Sequence, residues 1–236
     1  MERVIQALYR TRTVDTMLDI VRQAAATRGV VGQSYHFTPK FSSQVSGDVI
    51  VDEAGFPKRW VSLYNSEDFR IHDPIPDKIM AEGRPLAWSD AAFAERPTPG
   101  VKNFMSAWIE HGLIFGIGIP LYGPHNQNAY SSFAFADASP LKDRETITYL
   151  QMIMQAAHSR ICEVVEADYD DVTLSEREAE VLKLAAIGQN ARQISASLSI
   201  SPETVSTYLG RAYDKLDAKD RVSAVVKALK LGLIVL

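Results

Sequence analysis

Cysteine is almost absent from this 236-residue chain, with Cys162 standing alone. No internal disulfide and no cysteine-cluster metal site can form, which agrees with a reducing compartment; a lone helical cysteine reads as a buried thiol. No run approaches the roughly 18 to 20 apolar residues that cross a bilayer, and the opening MERVIQALYRTRTVD lacks the apolar centre of a secretory signal. The expectation is a cytoplasmic protein without membrane contact. Among the histidines at 36, 72, 111, 125 and 158 there is no HxH or HExxH pair, and neither a GxSxG turn nor a GxxxxGK(S/T) loop occurs. Metallohydrolase, serine-hydrolase and phosphate-loop chemistry are thereby set aside. His72 beside Asp73 is the one adjacent acid/base pair, and sequence neighbours often point apart. The chain reads as a non-enzyme that needs no metal or cofactor.

What is present is an ordinary globular composition, 46% hydrophobic and 23% charged with a net charge of -4, and no low-complexity tract. The length suits two domains. Charge is uneven: residues 173–236 carry nine basic and seven acidic side chains, the remainder sixteen and twenty-two. A small, slightly basic unit joined to an acidic one is compatible with DNA binding. Between them the acidic stretch Glu166-Ala167-Asp168-Tyr169-Asp170-Asp171 lacks core-type residues. It marks a linker over 166–172, between domains at 1–165 and 173–236.

Upstream of the linker, periodicity predicts a helix over Val14–Ala26, a strand over Val30–Phe37, and short helices over Pro57–Tyr64 and Pro99–His111. Strands follow over Gly116–Tyr122 and Ala129–Ala136, joined by the turn-rich Gly-Pro-His-Asn-Gln-Asn segment. A long helix from Pro140 to about Val165 carries Ile147, Leu150, Ile153, Met154, Ala157 and Ile161 on one stripe. The expected fold class is an α/β sandwich, an antiparallel sheet flanked by helices.

Downstream, Ser175 followed by Glu178 forms a capping box for a helix ending near Gly188. A second helix begins after Asn190, and Ser201-Pro202 opens a third that runs to about Leu216. There Val205, Leu209, Ala212 and Leu216 point inward, leaving Glu203, Ser206, Thr207, Gly210, Arg211 and Asp214 outside. A fourth helix, Asp220 to about Leu231, closes an all-α, four-helix domain.

TLSEREAEVLKLAAIGQNARQISASLSISPETVSTYLGRAYDKLDAKDRVSAVVKALKLGLI resembles the LuxR-type helix-turn-helix domain, with Glu178, Leu182, Gly188, Ile194 to Ala196, Thr204-Val205, Lys215-Leu216, Arg221 and Ala224 at the family's spacing. The resemblance implies double-stranded DNA as partner, read by the third helix from the major groove. Ser206, Thr207 and Gly210 match base-facing positions; relatives often carry basic residues at the first and last, so the operator stays open. Thr204 belongs to the same helix start. Arg192, Arg211, Lys215, Lys219 and Arg221 are candidate phosphate partners, with a solvated charge the alternative for each. Few contacts per domain imply a homodimer, with the long helix around 142–165 as its interface.

Further upstream, Trp60-x-x-x-Tyr64, Asp73-Pro74, Trp88, and Gly116 ahead of Ile119-Pro120 together resemble the autoinducer-binding domain of LuxR-type quorum-sensing receptors. That implies a small-molecule autoinducer, an N-acyl-homoserine lactone, in a mostly apolar pocket. The Trp60 indole would donate to the lactone carbonyl and Asp73 accept from the amide N–H, with Tyr64 and Trp88 as walls. Where the family often has a tyrosine, this chain has Phe56, which cannot hydrogen-bond. Ser131 or Ser132 could supply that contact, or be plain strand serines. Phe104, Met105, Trp108 and Phe115 would favour a short, branched or aromatic acyl chain, or be ordinary packing. The alternatives are a LuxR-type regulator that senses a non-lactone molecule or needs no ligand, a lactone-processing enzyme, and a phosphorylated response regulator, whose receiver acidic residues are missing.

Overall fold

The computed structural model describes residues 1–37, 50–65, 69, 71–92, 97–124, 127–166 and 172–236. The chain forms two compact units, Met1–Gly123 with Asn128–Ala167, and Asp168–Leu236 with the short Pro124–Gln127 stretch. Residues 167–171 of the predicted linker, and His125 and Asn126 of the predicted turn, lie outside the described residues.

The first unit is a helix/sheet/helix sandwich. Its five strands, β1 (Val30–Phe37), β2 (Ile50–Ala54), β3 (Leu86–Ala87), β4 (Gly116–Leu121) and β5 (Ala129–Phe135), pair in the order β2-β1-β5-β4-β3, every neighbour antiparallel. Both β4 and β5 are buried at every position. This is the signature of a sheet covered on both faces, where apolar runs replace strict alternation.

On one face Tyr35, Phe37, Ile119, Leu121 and Phe133 belong to the buried core with residues of α1 (Glu2–Arg10), α2 (Val14–Ala26) and α8 (Arg144–Glu166). The predicted bounds of α2 and β1 coincide with those observed. The other face is covered by α3 (Lys58–Tyr64), α4 (Ile75–Glu82), α5 (Trp88–Ala92) and α6 (Pro99–Glu110). Here lies the aromatic core around Trp60, Trp88, Phe104 and Trp108.

The long helix predicted from Pro140 is two helices, α7 (Ser139–Lys142) and α8. Asp143 takes extended backbone between them (φ -89°, ψ 99°). Its carboxylate accepts from the Glu145 amide (3.0 Å) and the Thr146 hydroxyl (2.7 Å), capping α8. Three further helices escape the apolar pattern, the five-residue α5 among them. α1 buries Leu8 alone, while α4 opens on Pro74 and Pro76 and ends at Gly83, whose φ of +68° is the left-handed cap that glycine adopts freely.

The second unit contains α9 (Glu176–Ala186), α10 (Ala191–Leu198), α11 (Pro202–Lys215) and α12 (Arg221–Lys230). Capping boxes Ser175/Glu178, Asn190/Gln193 and Asp220/Ser223 start three of them, and the Ser201 hydroxyl starts α11. The bend between α10 and α11 turns on Ser199 at φ +53° and is fastened by Ser195 Oγ donating to the Ile200 carbonyl at 2.6 Å. Val181, Ala185, Ile194 and Val205 fill the space beneath it.

Glu178 ties α9 to α11: its buried Oε2 accepts from the Ser175 amide at 2.8 Å and from Lys215 Nζ at 2.7 Å. Burial alone would raise its pKa; the bonds from Lys215 and Ser175 outweigh that and hold it below the ordinary glutamate value. Glu178→Ala should destabilise this unit by about 1–3 kcal/mol, because the Ser175 amide loses its acceptor and Lys215 its partner. A lower urea midpoint for the second unit's transition would show it.

Candidate ligand cavity and DNA-facing helix

Spacing of four on a helix places two side chains on one face. Trp60 and Tyr64 of α3, and Phe104 and Trp108 of α6, use it to face the sheet as two aromatic walls. Their rings interlock: Trp60 lies 5.7 Å from Phe104 and 5.7 Å from Tyr64, and Trp88 lies 5.9 Å from Trp108 and 6.4 Å from Phe56 between centroids. Between them and the sheet is a cleft with walls so close that the centre of a water-sized sphere can occupy only about 40 Å³. That is room for roughly three waters.

Glycine shapes one end. A Cβ on Gly116 would stand 2.4 Å from the Trp88 ring, so β4 must be bare where that indole crosses it.

The carboxyl of Asp73 points into this space from the start of α4. Its Oδ1 accepts from the Ile75 amide at 2.9 Å and its Oδ2 from the Tyr64 hydroxyl at 2.8 Å. Burial lifts its pKa from 3.8 to about 7, although both hydrogen bonds pull the other way. Burial also raises the Tyr64 hydroxyl well above its ordinary value, the Asp73 charge adding to the effect. Each Asp73 oxygen keeps a lone pair for a further donor.

Of the predicted ligand residues, Phe56, Trp60, Tyr64, Asp73, Trp88, Phe104, Trp108 and Ser132 all line the cleft. Ser131 does not: strand alternation turns it to the opposite face of β5, where its hydroxyl donates to the Ser34 carbonyl at 2.7 Å. Met105 packs at the edge of the aromatic core. The cleft also takes in Ser34, His36, Glu53, Ile75, Leu113 and Tyr130, which sequence reasoning passed over. Period two from Ser132 would have found Tyr130; Ser34 and His36 become visible only once β1 is known to pair with β5.

In the second unit, Val205 and Ala212 of α11 are buried, while Ser206, Thr207 and Arg211 are exposed. Ser206 Oγ donates to the Pro202 carbonyl at 3.1 Å and Thr207 Oγ1 to the Glu203 carbonyl at 2.9 Å. A Cβ on Gly210 would meet nothing within 4 Å, so no packing among the described residues demands glycine there. Thr204 is half-buried in the helix cap, its amide held by Ser201 Oγ at 3.1 Å. Arg192 and Lys219 are exposed. Two of the predicted phosphate partners have internal duties. Lys215 is ion-paired with Glu178, and Arg221 donates to the Ala185 carbonyl and, at 2.8 Å, to the Gln189 carbonyl, closing the end of α9.

The autoinducer binding domain family model matches residues 13–161, and that of the bacterial regulatory proteins of the luxR family matches residues 172–228. The chain belongs to the LuxR family. It is similar to the quorum sensing-dependent transcriptional regulator RpaR of Rhodopseudomonas palustris, 36% identical over 76% of this chain and 73% of that protein. It is also similar to the transcriptional activator AnoR of Acinetobacter nosocomialis, 22% identical over 99% of this chain and 98% of that one. The crystal structure of Escherichia coli SdiA has the same fold, with a TM-score of 0.75 at 20% identity over 100% of this chain and 98% of the other. As a LuxR-family protein with an autoinducer-binding and a helix-turn-helix domain, the chain is a transcriptional regulator of the quorum-sensing type and not an enzyme.

Two outcomes follow for a LuxR-family cleft of this geometry. Gly116→Ala should dislodge Trp88 and destabilise the sensor unit by about 1–3 kcal/mol, as overpacking does, with a shift in tryptophan emission to report the displaced ring. Asp73 sets a pH dependence. A carboxyl near 7 when folded and near 3.8 when unfolded binds the extra proton in the folded state, so the ligand-free unit loses stability as pH rises from about 4 to about 7. Thermal midpoints across that range should fall for the native protein and flatten for Asp73→Asn.

Proposed function

We propose that the cleft receives an N-acyl-homoserine lactone, and that the protein works as a homodimer in the cytoplasm, needing this ligand and no cofactor. The observation that carries the reading is Asp73, a carboxylate with lone pairs to spare inside an aromatic cage. It suits an amide N–H from a guest that is otherwise apolar. Trp60, four residues before Tyr64 in the same wall, is the donor for the ring carbonyl. CepR2 of Burkholderia cenocepacia, described as N-acylhomoserine lactone dependent, is similar in fold, with a TM-score of 0.53 at 21% identity over 70% of this chain and 93% of that one.

The tight walls select the acyl group. With Phe104, Trp108, Phe56 and Leu113 crowding the cleft, a short, branched or flat aromatic acyl chain fits with small ring movements, whereas a long straight chain requires the cage to open. Binding completes the core and stabilises the folded unit in proportion to the logarithm of ligand concentration over its Kd. The ligand-filled sensor then sets two helix-turn-helix units on a two-fold site, half-sites about one helical turn apart.

The test is thermal denaturation of the full chain with butanoyl, isobutanoyl, benzoyl, octanoyl and dodecanoyl homoserine lactones. The midpoint should rise with one or more of the compact ligands, and dodecanoyl should have little effect. Trp60→Phe and Asp73→Ala should each need at least about tenfold more ligand for the same shift, the loss of one charged or fully buried hydrogen bond, while leaving the transition of the second unit unchanged. No shift with any lactone would overturn the lactone reading. The crystal structure of SdiA holding octanoyl-rac-glycerol, similar in fold at 22% identity with a TM-score of 0.71 over 98% of this chain and 94% of that one, makes an acylglycerol the next ligand to try.

A further inference from the structure

Among the described residues, Glu53 is the one carboxylate besides Asp73 that lines the cleft, and neither head-group contact uses it. Its place follows from the strand registers. Glu53 of β2 pairs with Ser34 of β1, Ser34 with Ser132 of β5, and Ser132 with Gly118 of β4, so the four form one row across the cleft face of the sheet. On one side of this row the same face continues with Gly32, Ala134 and Gly116, and on the other with His36 and Tyr130. The floor therefore changes character along its length. Phe56 and Trp88 rest on the bare end, where a Cβ on Gly32 would stand 3.4 Å from the Phe56 ring. At the opposite end the His36 ring lies 5.9 Å from that of Tyr64 and 5.7 Å from that of Tyr130 between centroids.

The helix wall runs the same way. It leaves Phe56, passes Trp60 and finishes at Tyr64 and Asn65, whose side-chain amide donates to Glu53 Oε2 at 3.1 Å. The two head-group contacts thus give the proposed guest a direction. From ring carbonyl to amide N–H it runs from Trp60 to Asp73, which is bonded to the Tyr64 hydroxyl, and its acyl group continues toward His36 and Glu53.

That end is ill suited to a plain hydrocarbon tail. Glu53 and His36 are half-buried, so water reaches them in the ligand-free unit, and a saturated chain would displace that water and return no hydrogen bond. The hydroxyls of Ser34 and Ser132 and the imidazole of His36 can each donate or accept, so they prescribe no particular complement. A carboxylate only accepts, and Asn65 takes one of the roughly four acceptor sites its two oxygens offer. Glu53 therefore calls for a donor on the acyl chain, and a hydroxyl is the smallest.

We propose that the acyl group of the guest carries a hydroxyl at its far end and that Glu53 is the specificity-determining residue that accepts from it. This rests on the lactone reading above and narrows it. The contact works mainly by rejection, because a site built to bond a hydroxyl excludes the analogue lacking it far more strongly than an apolar pocket excludes one methylene.

Two pairs of homoserine lactones matched in size test this on the full chain, 4-hydroxybenzoyl against 4-methylbenzoyl and 4-hydroxybutanoyl against pentanoyl. The readout is the concentration giving a half-maximal rise in thermal midpoint. In at least one pair the hydroxylated lactone should act at a concentration about tenfold lower than its methyl partner. Glu53→Leu should abolish or reverse that preference, and Glu53→Gln, which keeps an acceptor oxygen, should retain part of it. The preference is a ratio within one protein, so a variant of lower stability still reports it. Hydroxylated lactones that act no better than their methyl partners, or not at all where a plain lactone of the earlier panel does, overturn the proposal and leave the lactone reading standing. A full preference surviving in Glu53→Leu overturns the assignment to Glu53. If no lactone of either set moves the midpoint, the lactone reading itself is removed and this proposal falls with it.

Discussion

Everything in the sensor unit is arranged around one carboxylate withdrawn from water. A lone ionised group in such a place is penalised by burial, and the fold offsets this only in part, with one amide from the start of α4 and one hydroxyl from α3. Burial outweighs those two bonds, so the Asp73 pKa stays raised. An acceptor left in that condition is primed for a donor, so affinity for a guest N–H and marginal stability without it have the same origin. A more generous set of internal donors would stabilise the empty cleft and weaken its reason to bind.

The aromatic cage gives that carboxylate its effect. Trp60, Phe104, Trp108 and Trp88 leave room for only a few waters beside it, and the same rings leave little space for a guest. Their crowding depends on the sheet beneath: Gly116 admits Trp88, and at Gly118 a Cβ would stand 2.1 Å from the end of the Ile79 side chain and 2.7 Å from the Tyr130 ring. Two glycines on β4 thus let helix side chains reach the strand backbone, where bulkier residues would hold the layers apart. Selectivity for compact acyl groups in the proposed ligand is a consequence of this close approach.

Much of this was legible in the residues. α2 and β1 showed their bounds because apolar positions recur with the right period, and Ser175, Asn190, Ser201 and Asp220 announced helices through chemistry that acts within four residues. What stayed hidden depends on distant partners. β2 carries Asp52 and Glu53 in a five-residue strand, and pairing with β1 decides its conformation against its own composition. Tyr130 looked like any strand tyrosine until β1 paired beside it and the helix wall carrying Asp73 and Trp88 closed over the same cleft. Lys215 and Arg221 were counted as free cations because Glu178 and the α9 carbonyls are more than thirty residues away in sequence.

That last point changes how the second unit can hold DNA. With Lys215 and Arg221 engaged inside the domain, the outward side of α11 presents Ser206, Thr207 and Gly210 between the acidic Glu203 and Asp214, with Arg211 as its cation. Phosphate neutralisation supplies most non-specific affinity, and a face of this kind offers little of it. Short hydroxyl side chains and a bare glycine bring the helix backbone close to the groove floor, and hydroxyls accept or donate to several bases, so a single unit discriminates weakly. In the proposed homodimer useful affinity comes from two units bound together, where linking multiplies weak contacts. A regulator built this way gains control from whatever governs pairing, and in the proposed mechanism that is the guest that satisfies Asp73. In that mechanism the weak DNA contacts and the incompletely satisfied sensor core answer to the same ligand.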